Sequence, residues 1–100
     1  MGSVSISTTI VRNTEDWAYI PIQIRVIKQK SNGKIEIYDS VIKPTKCVKG
    51  SPDIPRHLND ISLEYAPSLS TVIANIKHFV KGCKIEFGNT PEHIAKMISI

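Results

Sequence analysis

Hydrophobic positions along this chain follow two rhythms, a two-residue alternation and a three-to-four-residue recurrence, and the changes between them mark out the elements. Residues 4–10 (Val-Ser-Ile-Ser-Thr-Thr-Ile) alternate apolar and small polar side chains and are rich in β-branched residues, which predicts a first strand. Residues 12–16 are polar and predict a turn. Residues 17–29 give the longest strand, with Ile20, Ile22, Ile24 and Val26 on one face and Tyr19, Pro21, Gln23 and Arg25 on the other. Pro21 has no N–H to donate to a ladder, so it belongs at an edge or a bulge. Ser31-Asn32-Gly33 predicts a hairpin turn, because Asn-Gly accepts positive φ. Residues 34–43 return as a third strand, with Ile35, Ile37 and Val41 on one face, and Pro44 ends it.

The period then changes. Leu69, Val72, Ile73, Ile76, Phe79 and Val80 recur at three- and four-residue steps, one face of a helix. Ser68 is placed to cap it, Lys81 to sit in its last turn and Gly82 to stop it in the left-handed conformation. Residues 83–87 alternate again and predict a buried strand. Thr90, Pro91 and Glu92 open a last helix as cap, first helical position and first-turn acid, with Ile94, Met97 and Ile98 as its apolar face. Between Thr45 and Glu64 the sequence is irregular, with a single helical turn expected over residues 54–59. The order β-β-β-α-β-α predicts an α/β (α+β) fold, a mixed sheet with helices packed against it.

At 100 residues the chain is expected to be one domain, 1–100, with a modest core. Its 41% hydrophobic and 22% charged residues are those of a globular chain. No apolar run is long enough for a membrane span. The N-terminus does not read as a secretory signal, and Cys47 and Cys83 do not form a disulfide framework, so a reducing, cytoplasmic location is expected. The formal charge of +4 permits phosphate contact without requiring it.

Candidate chemistry is sparse. The acidic residues are Glu15, Asp16, Glu36, Asp39, Asp53, Asp60, Glu64, Glu86 and Glu92, and no two stand two apart, so the chain holds no Asp-x-Glu pair. His57, Cys47 and Cys83 lack the close ligand spacing of a metal site, and no cofactor is expected. His78 lies on the polar side of the main helix, between Lys77 and Lys81. Ser5, Ser7 and Thr9 form a hydroxyl row that reads as ordinary polar strand positions. Lys28, Lys30 and Lys34 cluster at the second hairpin, and Lys43, Lys46 and Lys49 after the third strand. Trp17, Tyr19 and Tyr38 could stack bases beside them, as in single-strand binders, although lysines at hairpin tips also keep sheet edges soluble.

Several pieces together carry a family resemblance. Residues 21–28 and 32–35 with Val41-Ile42-Lys43-Pro44, then Ala66-Pro67-Ser68 with its helix, then residues 84–89, stand in the order and spacing of a DnaQ-like (DEDDh) 3′–5′ exonuclease domain. The chain resembles the N-terminal part of that family over residues 4–98, which implies a partial ribonuclease-H-like fold. The family hydrolyses phosphodiesters with two metals held by carboxylates. Its Asp-x-Glu-Thr-Thr motif is matched here by Ser5-Ile6-Ser7-Thr8-Thr9, and its later metal-binding Asp falls on His93. A hydroxyl is a poor Mg²⁺ ligand, so the resemblance implies a truncated, catalytically silent domain, a pseudoenzyme. The family's last His and Asp have no counterpart in the sequence. The expectation is an interaction module, in the company of DNA-processing proteins by analogy, with a protein partner or a second copy as dimer covering exposed apolar surface. The rival readings are a single-stranded nucleic-acid binder using Trp17, Lys28, Lys30, Lys34, Lys43 and Lys46, or a nuclease component completed by a partner.

Overall fold

A computed structural model of the chain describes residues 2–58 and 63–99. Three strands come first, β1 (Ser3–Arg12), β2 (Tyr19–Gln29) and β3 (Ile35–Val41). After two short 3₁₀ turns, Arg56–Leu58 and Leu63–Tyr65, follow α1 (Leu69–Phe79), β4 (Lys84–Phe87) and α2 (Glu92–Ser99). The order is the β-β-β-α-β-α of the sequence pattern. The turn expected over residues 54–59 forms as the first 3₁₀ turn, and Asn59 lies outside the described residues.

The sheet is four-stranded and mixed, in the order β3-β2-β1-β4. β1, β2 and β3 form an antiparallel meander, and β4 returns parallel to β1 on its other side. A parallel neighbour needs a crossover, and α1 lies in it. The register slips between Thr9 and Ile10 of β1, where Gln23 and Pro21 of β2 are the successive partners and Ile22 is the extra residue. Pro21 thus sits at a bulge, one of the two places open to it.

Alternation sorts the strands into two faces. Val4 and Ile6 of β1 and Ile24 and Val26 of β2 are buried against Val72, Ile73 and Ile76 of α1 and Ile94 and Ile98 of α2. Each fully buried isoleucine or valine contributes about 1.5–3 kcal/mol relative to exposure. Ile85 and Phe87 of β4 join this core from the edge, half-buried.

In the third strand Ile35, Ile37 and Val41 share a face as expected; it is the face opposite the helices, where Ile35 and Ile37 are both 62% exposed. The register explains this: Val26 pairs with Tyr38 and Ile24 with Ser40, so the even-numbered residues of β3 turn toward the core. Tyr38 packs there at 6.0 Å from the ring of Phe79 and accepts a hydrogen bond from Asn75 at 3.3 Å.

The helix ends also differ in detail. Ser68 caps α1 as expected, accepting from the Thr71 amide at 3.3 Å. The helix stops at Phe79, so Lys81 lies beyond its last turn, and Gly82 takes φ +80°. Thr90 does not cap α2. Its hydroxyl donates to the Ile6 carbonyl at 3.1 Å, and the Pro91 carbonyl takes the first helical bonds, from Ile94 and Ala95. The Thr90 hydroxyl is drawn to β1 because Thr8 presents a buried polar group there; the two hydroxyls lie 3.4 Å apart.

A second core packs Val11, Ile22, Val48, Leu58 and Leu63, with Ile20, Val41 and Ile54 at its margin. Val41 pairs with Gln23, on the side opposite the helices, so the irregular segment folds over one end of that open face. The other end, with Ile27, Ile35 and Ile37, stays bare.

Candidate functional site

Three elements meet where the covered end of the open face gives way to the bare end. β1 contributes Ser7 and Thr9, and β2 contributes Arg25 and Gln23 directly opposite them. The first 3₁₀ turn brings His57, next to the buried anchor Leu58. These five side chains line a pocket of about 190 Å³. His57 Nε2 lies 3.2 Å from Gln23 Oε1. The Gln23 amide nitrogen donates to Asp39 Oδ1 at 3.1 Å, and Arg25 donates to Asp39 Oδ2 from Nε at 2.9 Å and Nη2 at 2.8 Å. Asp39 flanks this group from β3 and is not part of the pocket wall.

A second hollow, of about 440 Å³, lies among the irregular residues, walled by Lys43, Lys46, Cys47, Lys49 and Glu64 among others. It is fastened to the β1–β2 turn. Thr14 donates from its amide to the Cys47 carbonyl at 2.7 Å, and the Cys47 amide donates to Glu15 at 2.6 Å. Lys46 pairs with Asp16, and this ion pair holds the Asp16 carboxyl well below the usual carboxylate range. Cys47 is exposed, and its thiol is lowered in pKa, first by hydrogen bonding to the Thr14 side chain and then to the Lys49 backbone.

Asn13 organises that turn. It is fully buried, accepts from the Glu15 and Asp16 amides at 2.9 Å each, and donates to Asp16 at 2.6 Å and the Ala18 carbonyl at 2.8 Å. Trp17 follows in the left-handed region at φ +63°, a conformation costing about 1–3 kcal/mol that these bonds hold in place. Arg12 lies 5.6 Å over the Trp17 ring and grips Asp53, from Nε at 2.7 Å and from its own amide at 3.0 Å.

The residues singled out by sequence fall in separate places. Ser5 and Ser7 share the open face, but only Ser7 lines the pocket; Ser5 stands in register with Glu86 of β4. His93 is on α2, which packs on the covered side, and among the described residues no hydrogen bond or pocket joins it to Ser5 or Ser7. Trp17, Lys43 and Lys46 gather at the β1–β2 end of the sheet. Lys28, Lys30 and Lys34 belong to the opposite end, where β2 turns into β3. Lys28 donates to the Phe79 carbonyl at the end of α1, at 3.0 Å, and Lys30 pairs with Glu36 at 3.0 Å. Among the described residues no three His, Cys, Asp or Glu side chains are grouped to hold a metal. The sequence reading missed the grouping of Arg25 and His57 with Ser7 and Thr9. The Ser7/Thr9 spacing was visible, but the loop path that delivers His57 was not.

Fold and site together define a small mixed α/β sheet protein with one helix-covered face and one polar, partly bare face. No protein-family model matches the chain, and no curated protein matches it.

Proposed function

We propose that this chain is a DnaQ-like, ribonuclease-H-like domain that has lost two-metal hydrolysis and acts as an interaction module through its open sheet face. One observation carries this reading. Ser5 and Ser7, at the two positions the family fills with carboxylates, sit side by side on an accessible face, and the acid nearest in register is the single Glu86. Two-metal chemistry needs several charged oxygens converging on the ions. The element order and the mixed sheet agree with what the resemblance implies. Ile27, Ile35 and Ile37 beyond the serines supply apolar area of the kind that partners cover.

A second reading has its own observation. Trp17 and Tyr19 are 55% and 60% exposed, and Arg12 lies over the Trp17 ring, an aromatic surface next to a cation that suits single-stranded nucleic acid.

One experiment separates them. The purified chain is incubated with end-labelled single-stranded DNA and Mn²⁺, and the same DNA is titrated at two salt concentrations. Intact DNA with no salt-sensitive binding, and self-association or a captured partner lost on Ile37→Asp, supports the interaction module. Salt-steep binding lost on Trp17→Ala supports the second reading. Metal-dependent shortening of the DNA from its 3′ end sinks both.

A further inference from the structure

We propose that the pocket between β1, β2 and the first 3₁₀ turn is a binding site for a tetrahedral oxyanion, a phosphate group. This inference does not depend on the exonuclease ancestry.

The pocket wall is rich in donors. Across the β1–β2 ladder, Ser7 faces Arg25 and Thr9 faces Gln23, giving a two-by-two grid of polar side chains on one face. His57 closes it from above. Ser7 is exposed and Thr9 half-buried, and both hydroxyl-bearing side chains form part of the pocket wall, within reach of a ligand. Arg25 commits two of its five N–H groups to Asp39 and keeps the rest. His57 Nε2 lies against Gln23 Oε1, which leaves Nδ1 for a ligand. Among the described residues no carboxylate is part of the wall itself, and Asp39 stands behind Gln23 and Arg25. Hydroxyls, an arginine and a histidine converging in one wall suit an oxyanion.

Size narrows the ligand. Pockets for whole small molecules run to about 300–1,000 Å³. At about 190 Å³ this one takes a single phosphate group and leaves the rest of any larger ligand outside.

Asp39 makes the idea sharp. It sits on the far side of Arg25 from Ser7, in the same row of the sheet, and holds the guanidinium as an internal counter-ion. An incoming phosphate competes with it for Arg25. Removing the Asp39 charge without changing its shape therefore strengthens ligand binding, whereas removing the Arg25 charge weakens it.

The test titrates inorganic phosphate at constant ionic strength into the ¹⁵N-labelled chain, following amide and arginine side-chain NMR signals. Saturable shifts confined to Ser7, Thr9, Gln23, Arg25 and His57 are expected. Arg25→Gln and Thr9→Val weaken binding about tenfold or more, and Asp39→Asn tightens it several-fold. A parallel titration with a short single-stranded oligonucleotide, with and without a 5′-phosphate, tells a free or terminal phosphate from a backbone one. Absence of saturation, or equal shifts in wild type, Arg25→Gln and Asp39→Asn, overturns the proposal. The native-like spectrum of each variant is its own check of folding.

Discussion

The two faces of the sheet are built from the same strands, residue by alternate residue, and they have opposite chemistry. On the helix side, Val4, Ile6, Ile24 and Val26 disappear beneath α1 and α2. On the other, Ser5, Ser7, Arg25 and Ile27 look outward, and among the described residues cover comes from an irregular segment at one end. Regular packing on one side holds the strands in register, which lets the side chains of the other be placed without having to pack. A polar grid such as Ser7, Arg25, Thr9 and Gln23 is affordable there because the helix side supplies the stability.

The comparison is easiest to break at its strongest point. Ile24→Ala, which opens a hole beneath both helices, is expected to cost about 2–5 kcal/mol in chemical denaturation. A loss under 1 kcal/mol would mean that the helix side does not carry the fold. Asn13→Ala comes next, at about 1–3 kcal/mol, because it leaves two backbone amides of the β1–β2 turn without their acceptor. Amide exchange should speed up over residues 13–18 and leave α1 unchanged. If α1 responds equally, the two ends of the molecule are not separable.

Acid should then act on the irregular end before the helix side. Hydrogen bonds from Arg12 hold the Asp53 carboxyl below its usual range, and Lys46 does the same for Asp16. A carboxyl with a depressed folded pKa stabilises the native state fully above its unfolded value, near 4, and loses that effect as pH falls through the folded value. Stability should therefore decline between about pH 5 and pH 2, and Asp53→Asn should flatten part of that slope. An unchanged slope would show that the Arg12–Asp53 grip contributes nothing. The smallest effect belongs to the bare face: Ile37→Thr should shift stability by no more than about 0.5 kcal/mol in chemical denaturation. A shift as large as that of Ile24→Ala would erase the distinction between faces.

Much of this was legible in the sequence, and the reasons for the rest are physical. Alternation in residues 4–10 and the helical recurrence from Leu69 to Val80 are local signals, and both elements form. The shared face of Ile35 and Ile37 was legible, but not which side of the sheet it meets; pairing with β2 decides that, and it is non-local. Thr90 had the right chemistry for a cap, but its hydroxyl is turned away to β1, where it donates to the Ile6 carbonyl 84 residues away in sequence. The pocket was half legible, since Ser7 and Thr9 announce a shared face. His57 reaches them only because Leu58 anchors the neighbouring turn in the second core.

The setting of Trp17 has an optical consequence. It is the sole tryptophan, more than half exposed, with a guanidinium stacked on its ring. Its emission is therefore a local gauge of the β1–β2 turn and nearly blind to the helix side. A fluorescence melt would follow the release of Arg12 from the indole, while circular dichroism would follow α1 and α2. Any gap between the two curves measures how independently the ends of this small sheet come apart.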